Sequence, residues 1–211
     1  MAGRFFLYWA ISLRCCRNRV VMRGHPAKIA LCLVKTMKLQ RLIVTGANGT
    51  GKSHFARELA AARPDIPLIS YDAIKLTSEW KRRPQSEIAA ALSDVIQGRS
   101  WILEGGPSLL PQAIKYADGV MWLDPPEWLR AWRLFARPLR NLGKTRPELP
   151  DGNVDWPWQQ YGFAIRSLRN RTRFQSDITA QLAAASALRV WRIRSATEGA
   201  SAIAEWRRTV A

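Results

Sequence analysis

Between an apolar run at residues 41–45 and an amphipathic run at Lys52–Ala62, the chain reads Gly46-Ala47-Asn48-Gly49-Thr50-Gly51-Lys52-Ser53, that is, G-x-x-x-x-G-K-S. No other stretch of the 211 residues limits the possible folds as much. Glycines allow positive φ angles and a close backbone approach, so a tight loop can wrap an anion. Consecutive N–H groups and the N-terminus of the next helix then converge on phosphate oxygens. In this pattern Gly46, Ala47, Asn48, Gly49, Thr50, Gly51, Lys52, Ser53 and His54 cradle the phosphates. Lys52 reaches the β and γ phosphates, and Ser53 ligates Mg²⁺. The expected cofactors are therefore ATP and Mg²⁺. A Gly-rich turn that merely joins strand to helix would leave the joint arrival of a buried-type strand, Lys52 and Ser53 unexplained.

Strand-like and helix-like segments alternate through the rest of the chain. Short apolar runs at 67–70, 101–103, Gly119–Leu123 and 188–193 predict four further strands. Helical periodicity covers 86–97, stopped by Gly98, then 109–116, Glu127–Arg140, 156–187 and 197–208. This order predicts an α/β fold with a parallel sheet and right-handed crossovers. Residues 141–155 form a Gly/Pro-rich interruption between two basic helices. No repeat or linker divides 37–211, which is read as one domain.

In an open parallel sheet ligands bind beyond the carboxyl ends of the strands, and those ends carry Asp72, Glu104 and Asp124 besides the glycine loop. Glu104 is the expected carboxylate for Mg²⁺, directly or through water. Asp72 suits acceptance of a proton from a substrate hydroxyl. Asp124, ahead of Pro125-Pro126, is read as shaping the next helix. Neither Glu104-Gly105 nor Asp124-Pro125 is the Asp-Glu pair with which hydrolytic ATPases activate water, and no N-K-x-D is present to read guanine. Motors, transport ATPases and GTPases are thereby disfavoured, and phosphoryl transfer to a bound acceptor becomes the leading chemistry. Trp128, Trp132, Trp156 and Trp158 interleave with arginines, but their helical spacing favours core packing over stacking on bases.

The net charge is +17, and arginine outnumbers lysine 25 to 8, a balance suited to bidentate phosphate contacts. Residues 1–36 contribute +7 of this charge without a single acid, and hold all three cysteines, Cys15, Cys16 and Cys32. Their apolar run, 5–13, is too short to span a bilayer. They are expected to be a disordered basic extension or a mis-assigned start, Met37 leading directly into the first strand; a targeting segment is the alternative. Cysteine-poor composition in the remainder fits a reducing cytoplasm.

The order of the glycine loop, Tyr71-Asp72, Trp101-Ile102-Leu103-Glu104-Gly105-Gly106-Pro107, an Arg-rich helix and a final strand resembles the adenylate-kinase-like P-loop kinases. Val120 to Pro126, the arginines of 130–140 and Gly143-Lys144-Thr145-Arg146-Pro147-Glu148 are similar to the DNA topology modulation (FlaR-like) proteins within that group. The resemblance spans roughly 38–208, a single-domain length. It implies a three-layer P-loop NTPase fold with five parallel strands, helices on both faces and an Arg-rich lid at 141–155. It also implies ATP at the P-loop and a small-molecule acceptor, with Arg137 and Arg146 as catalytic clamps drawn from a pool that includes Arg140, Arg166, Arg169 and Arg173. Where adenylate kinases carry Asp-Gly-x-Pro-Arg this chain has Glu104-Gly105-Gly106-Pro107-Ser108, without the arginine that grips a nucleotide acceptor. The acceptor is thus a phosphate- or hydroxyl-bearing small molecule. The other expectation is a nucleic-acid-associated ATP-binding protein that uses helices 127–173 on a phosphate backbone.

Overall fold

The central strand of the computed structural model is the one that precedes the glycine loop. The structure describes residues 39–185 and 188–209, so the predicted extension at 1–36 lies outside the described residues. In chain order the elements are β1 (Arg41–Gly46), α1 (Lys52–Ala62), β2 (Leu68–Ser70), α2 (Tyr71–Lys75), α3 (Gln85–Ile96), β3 (Trp101–Gly105), α4 (Leu110–Ala113), β4 (Gly119–Leu123), α5 (Glu127–Arg140), α6 (Pro157–Arg169), α7 (Arg171–Ala183), β5 (Arg189–Ile193) and α8 (Ala196–Arg208). The strands pair in the order β2-β3-β1-β4-β5, every pair parallel.

Strand geometry divides the core. Successive side chains of a strand point to opposite faces, so Leu42 and Val44 enter the apolar layer beneath α1 and α8 with Phe55, Leu59 and Trp206. Ile43 enters the opposite layer with Tyr71, Ile88, Leu92, Leu103 and Ile178. The result is the expected three-layer P-loop fold, helices covering both faces of a five-stranded parallel sheet. Asp118 fixes the start of β1 by accepting from the backbone N–H groups of Gln40 and Arg41 at 2.9 and 2.8 Å. The connection after β1 runs to β2 on one side of it, and the one after β3 crosses to β4 on the other, which opens a crevice at the carboxyl end of β1. The glycine loop lies at that switch point.

Two expectations are corrected. The single helix predicted over 156–187 is two, α6 and α7, with Asn170 between them at φ −88°, ψ 15°. Asn is a poor helix former, and the break lets α6 lie along α5 while α7 turns Ile178 into the core. The tryptophans assigned to the core are not in it: Trp128, Trp132 and Trp158 are 71, 61 and 69% exposed, and Trp156 is exposed as well. Helix α5 instead buries Arg130, Leu134 and Pro138. A guanidinium, not an indole, occupies its inward face, because it has partners there.

Trp206 ties the C-terminal helix to the first. It is fully buried, donates its indole N–H to the Leu59 carbonyl at 3.1 Å, and has the Arg63 guanidinium 4.7 Å from its ring centroid. Trp206→Ala should therefore lower the unfolding free energy by about 3–5 kcal/mol in a urea titration, with Trp206→Phe losing less.

Candidate active site

The glycine loop adopts the shape its sequence predicts. Gly46 has φ 151° and Gly49 φ 84°. A side chain at either would collide with the protein: a Cβ on Gly46 would lie 2.5 Å from the Leu123 carbonyl oxygen, and one on Gly49 2.6 Å from Leu134 Cγ. Inside the loop, Thr50 Oγ1 and Lys52 Nζ donate to the Ala47 carbonyl at 2.9 and 3.1 Å.

Two arginines of α5 hold the loop from outside. Arg130 Nε donates to the Asn48 carbonyl at 3.0 Å and Arg133 Nη1 to the Thr50 carbonyl at 2.8 Å. In a trans peptide the carbonyl and the following N–H point in opposite directions. The N–H groups of Gly49 and Gly51 are therefore turned away from α5. Arg130 is itself braced: Nη1 donates to both carboxylate oxygens of Glu127 at 3.0 Å, and Nη2 donates to the Ser167 carbonyl of α6. At the start of α1, Gly51 offers no side-chain cap and the first turn holds no acid. Its open N–H groups and positive dipole end suit an anion.

Next to this loop lies a cleft of about 1120 Å³. Of the residues singled out from sequence, it brings together Asn48 to His54, Asp72, Glu104, Arg137, Arg140 and Arg146; Gly46 and Ala47 do not line it. The side chain of His54 is exposed and lies 3.6 Å from Glu58. Arg166 and Arg169 are exposed and do not line the cleft, and Arg173 is exposed beside Asp177. Asp124 is taken up by Gln175 and Arg192, joining β4 to α7 and β5. Ser108, standing where a nucleotide-gripping arginine was sought, is exposed.

Cations outnumber carboxylates in the cleft, and the two face one another. Burial lowers the pKa of the Lys52 ammonium, and Glu104 and Asp72 partly restore it. Burial raises the Glu104 carboxyl above its usual range, against the pull of Lys52. Asp72, in the first turn of α2, is also pushed up by burial, but its ion pair with Lys75 at 2.7 Å outweighs this and holds it below the usual range. Burial likewise disfavours the charged form of Arg137, with Arg146 adding to the effect. The buried Nε of Arg137 has no protein acceptor, and an anionic oxygen in the cleft would supply one. Among the described residues no group of three or more His, Cys, Asp or Glu forms a metal cage. Mg²⁺ suits the site all the same, since it is commonly held by one or two protein oxygens together with phosphates and water; here these would be Ser53 and Glu104.

Residues 141–155 close one side of the cleft. Thr145 and Val154 pair as a short antiparallel bridge. Buried Asn153 accepts from Trp80 N–H at 2.6 Å and donates to the carbonyls of Thr77 and Pro150 at 2.7 and 2.8 Å. Trp80 Nε1 donates to the Val154 carbonyl at 3.1 Å. Arg146 lies 5.4 Å over the Trp80 ring, within 3.2 Å of Asp155 and 3.6 Å of Glu148. Glu79 and Trp80 adopt φ 55° and 59°, a left-handed conformation uncommon for such residues. This clasp was not anticipated from sequence, because Trp80 and Asn153 meet only through the fold. The Lys75 partner of Asp72 was also missed, although its i,i+3 spacing was visible.

No protein-family model matches the chain, and no curated protein does. Remote likenesses to solved structures do exist. A shikimate kinase from Bacteroides thetaiotaomicron matches at TM-score 0.47 and 18% identity over 81% of this chain and 97% of that one. A shikimate kinase from Acinetobacter baumannii, in complex with shikimate, matches at 0.47 and 15% over 81 and 93%. A gluconokinase from Sinorhizobium meliloti matches at 0.43 and 18% over 82 and 91%. Values this low say nothing of this chain's own acceptor.

Removing the brace should loosen the loop. Arg130→Ala takes the donor from the Asn48 and Ser167 carbonyls and leaves Glu127 to Arg171 alone; it should cost about 1–3 kcal/mol of stability while weakening nucleotide binding, both measurable by thermal shift with and without ATP. Glu104 has the opposite sign. Its folded pKa lies above its ordinary 4.5, so stability present at lower pH is lost as pH rises from there through the folded value. Glu104→Gln should therefore melt higher than the parent at neutral pH, the gap vanishing towards pH values below 4.5.

Proposed function

We propose that this protein is a Mg²⁺·ATP-dependent phosphotransferase, allied to the adenylate-kinase-like group and within it to the DNA topology modulation type, working on a small acceptor in the cytoplasm. The observation that carries the reading is the cleft itself: a glycine loop with its lysine, the carboxylates of Asp72 and Glu104 and the guanidinium groups of Arg137 and Arg146 share one space. Hydrolysis has no dedicated carboxylate pair here. Phosphoryl transfer asks chiefly for positioning and for cations around the equatorial oxygens.

The residues divide the work by charge. Lys52 and the loop N–H groups hold the β and γ phosphates, and Ser53 with Glu104 would hold Mg²⁺, which neutralises charge on the phosphates when bound. Arg137 and Arg146 approach from α5 and from the lid, and stabilise charge on the group in flight. Asp72 stays ionised beside Lys75, so it can orient a substrate hydroxyl and accept its proton. A phosphate acceptor would need no such base, being ionised already. Nucleic-acid binding is the weaker reading, because Arg130, Arg133 and Arg137 turn towards the loop and the cleft, away from the exposed tryptophans.

The test is transfer of label from γ-labelled Mg²⁺·ATP to a panel of nucleoside monophosphates and hydroxyl metabolites. One acceptor should become labelled, and Lys52→Ala should abolish the transfer. For a hydroxyl acceptor Asp72→Asn should lower kcat by about 10²–10⁴, and for a phosphate acceptor it should leave kcat within a small factor. ATP binding without transfer to any acceptor would refute the reading.

A further inference from the structure

Helix α5 buries Leu134 but leaves most of its large apolar side chains exposed, Phe135 resting partly against Tyr161 of α6. Trp128, Trp132, Phe135 and Leu139, with Leu142 two residues past the helix, follow one another at intervals of four, three, four and three, and all are exposed. That interval is the 3.5-residue repeat of a helix–helix seam. An ordinary surface helix turns such a stripe inward, whereas α5 places Arg130, Leu134 and Pro138 there. Its remaining arginines, Arg133, Arg137 and Arg140, line the cleft, so the stripe carries no charge. Antiparallel α6, tied to α5 through Arg130 with Ser167 and Arg137 with Gln160, widens the apolar face with Trp158 and Ile165.

We infer that this face binds a second copy of the same chain, seam to seam across a two-fold axis. The stripe is its own complement. Centred on Phe135, it places Trp128 opposite Leu142 and Trp132 opposite Leu139 when a copy runs antiparallel, so each indole meets a smaller aliphatic side chain and Phe135 meets its own copy. Two-fold interfaces need this self-complementarity. The area also suffices: the five side chains leave on the order of 500 Å² open per protomer, and α6 enlarges it, so two copies would bury roughly 1,000–1,500 Å², the size of a specific interface. A phosphate-rich surface would instead require cations within the stripe, and they lie on the other side of the helix.

Sedimentation velocity on the full chain under reducing conditions, from about 1 to about 100 µM, tests the inference. The expected result is a concentration-dependent dimer, which Trp132→Asp/Leu139→Asp converts to a monomer with an unchanged circular dichroism spectrum. Should that double variant fold poorly, Trp132→Ala/Leu139→Ala should still weaken the dimer at least about tenfold. A monomer at every concentration overturns the proposal, as does a dimer indifferent to both double variants. A monomer that floats with vesicles rich in anionic lipid overturns it too, assigning the face to a membrane surface.

Discussion

The contact on which the site depends is the one between the Arg130 guanidinium and the back of the glycine loop. A loop built of residues at positive φ has little intrinsic preference for one shape, and its carbonyls would otherwise compete with its N–H groups for the interior. Arg130 and Arg133 take the carbonyls of Asn48 and Thr50 to the outside. What faces the cleft is then donor-rich. A buried guanidinium is costly unless fully paired, and Arg130 meets that condition through Glu127, Asn48 and Ser167 together. Loop, α5 and α6 are thereby one mechanical unit, and displacing the loop or α6 takes an acceptor from a buried guanidinium.

Within the cleft the same low dielectric that penalises each charge also strengthens their mutual attraction. Lys52 and Glu104 are each disfavoured by burial and favoured by the other. An anionic phosphate beside Lys52 and a cation beside Glu104 would each favour the charged form of its neighbour. Asp72 has its own partner in Lys75 and so keeps its charge without help from a ligand. Arg137 and Arg146 come from different segments, a helix and the lid, and the clasp of Trp80 and Asn153 fixes where the lid stands relative to α2 and α3. An acceptor would thus enter a space whose walls are set by contacts remote from the P-loop.

Periodicity made the sheet and most helices legible. β1, β3 and β4 are short apolar runs because both faces of a parallel sheet are covered, and their sequence positions survive almost unchanged in the structure. Periodicity failed on α5, where it assigned the aromatic side to the core. A helical pattern states which residues share a face, not which face is turned inward, and here the inward position went to an arginine with three partners. It failed again at Asn170, where a polar residue without a proline or glycine signal ends one helix and starts the next. The pool of candidate clamps divided for a similar reason: Arg137, Arg140 and Arg146 meet in the cleft, while Arg166, Arg169 and Arg173 point outward from helices that the sequence made equally basic.

The sequence by itself determined the glycine loop, the parallel α/β sheet that supports it, and the carboxylates at the strand ends. These follow from local rules: glycine where φ must be positive, apolar runs where both faces are covered, and polar residues where strands end. Only the tertiary structure decided which arginines serve the cleft, that Trp80 and Asn153 clasp residues 141–155, and that a seam of aromatic and aliphatic side chains faces outward. Each of those depends on the orientation of a helix about its own axis or on the meeting of distant segments. Spacing along a chain carries no information about either until the burial of one face is weighed against the pairing of a charge on the other.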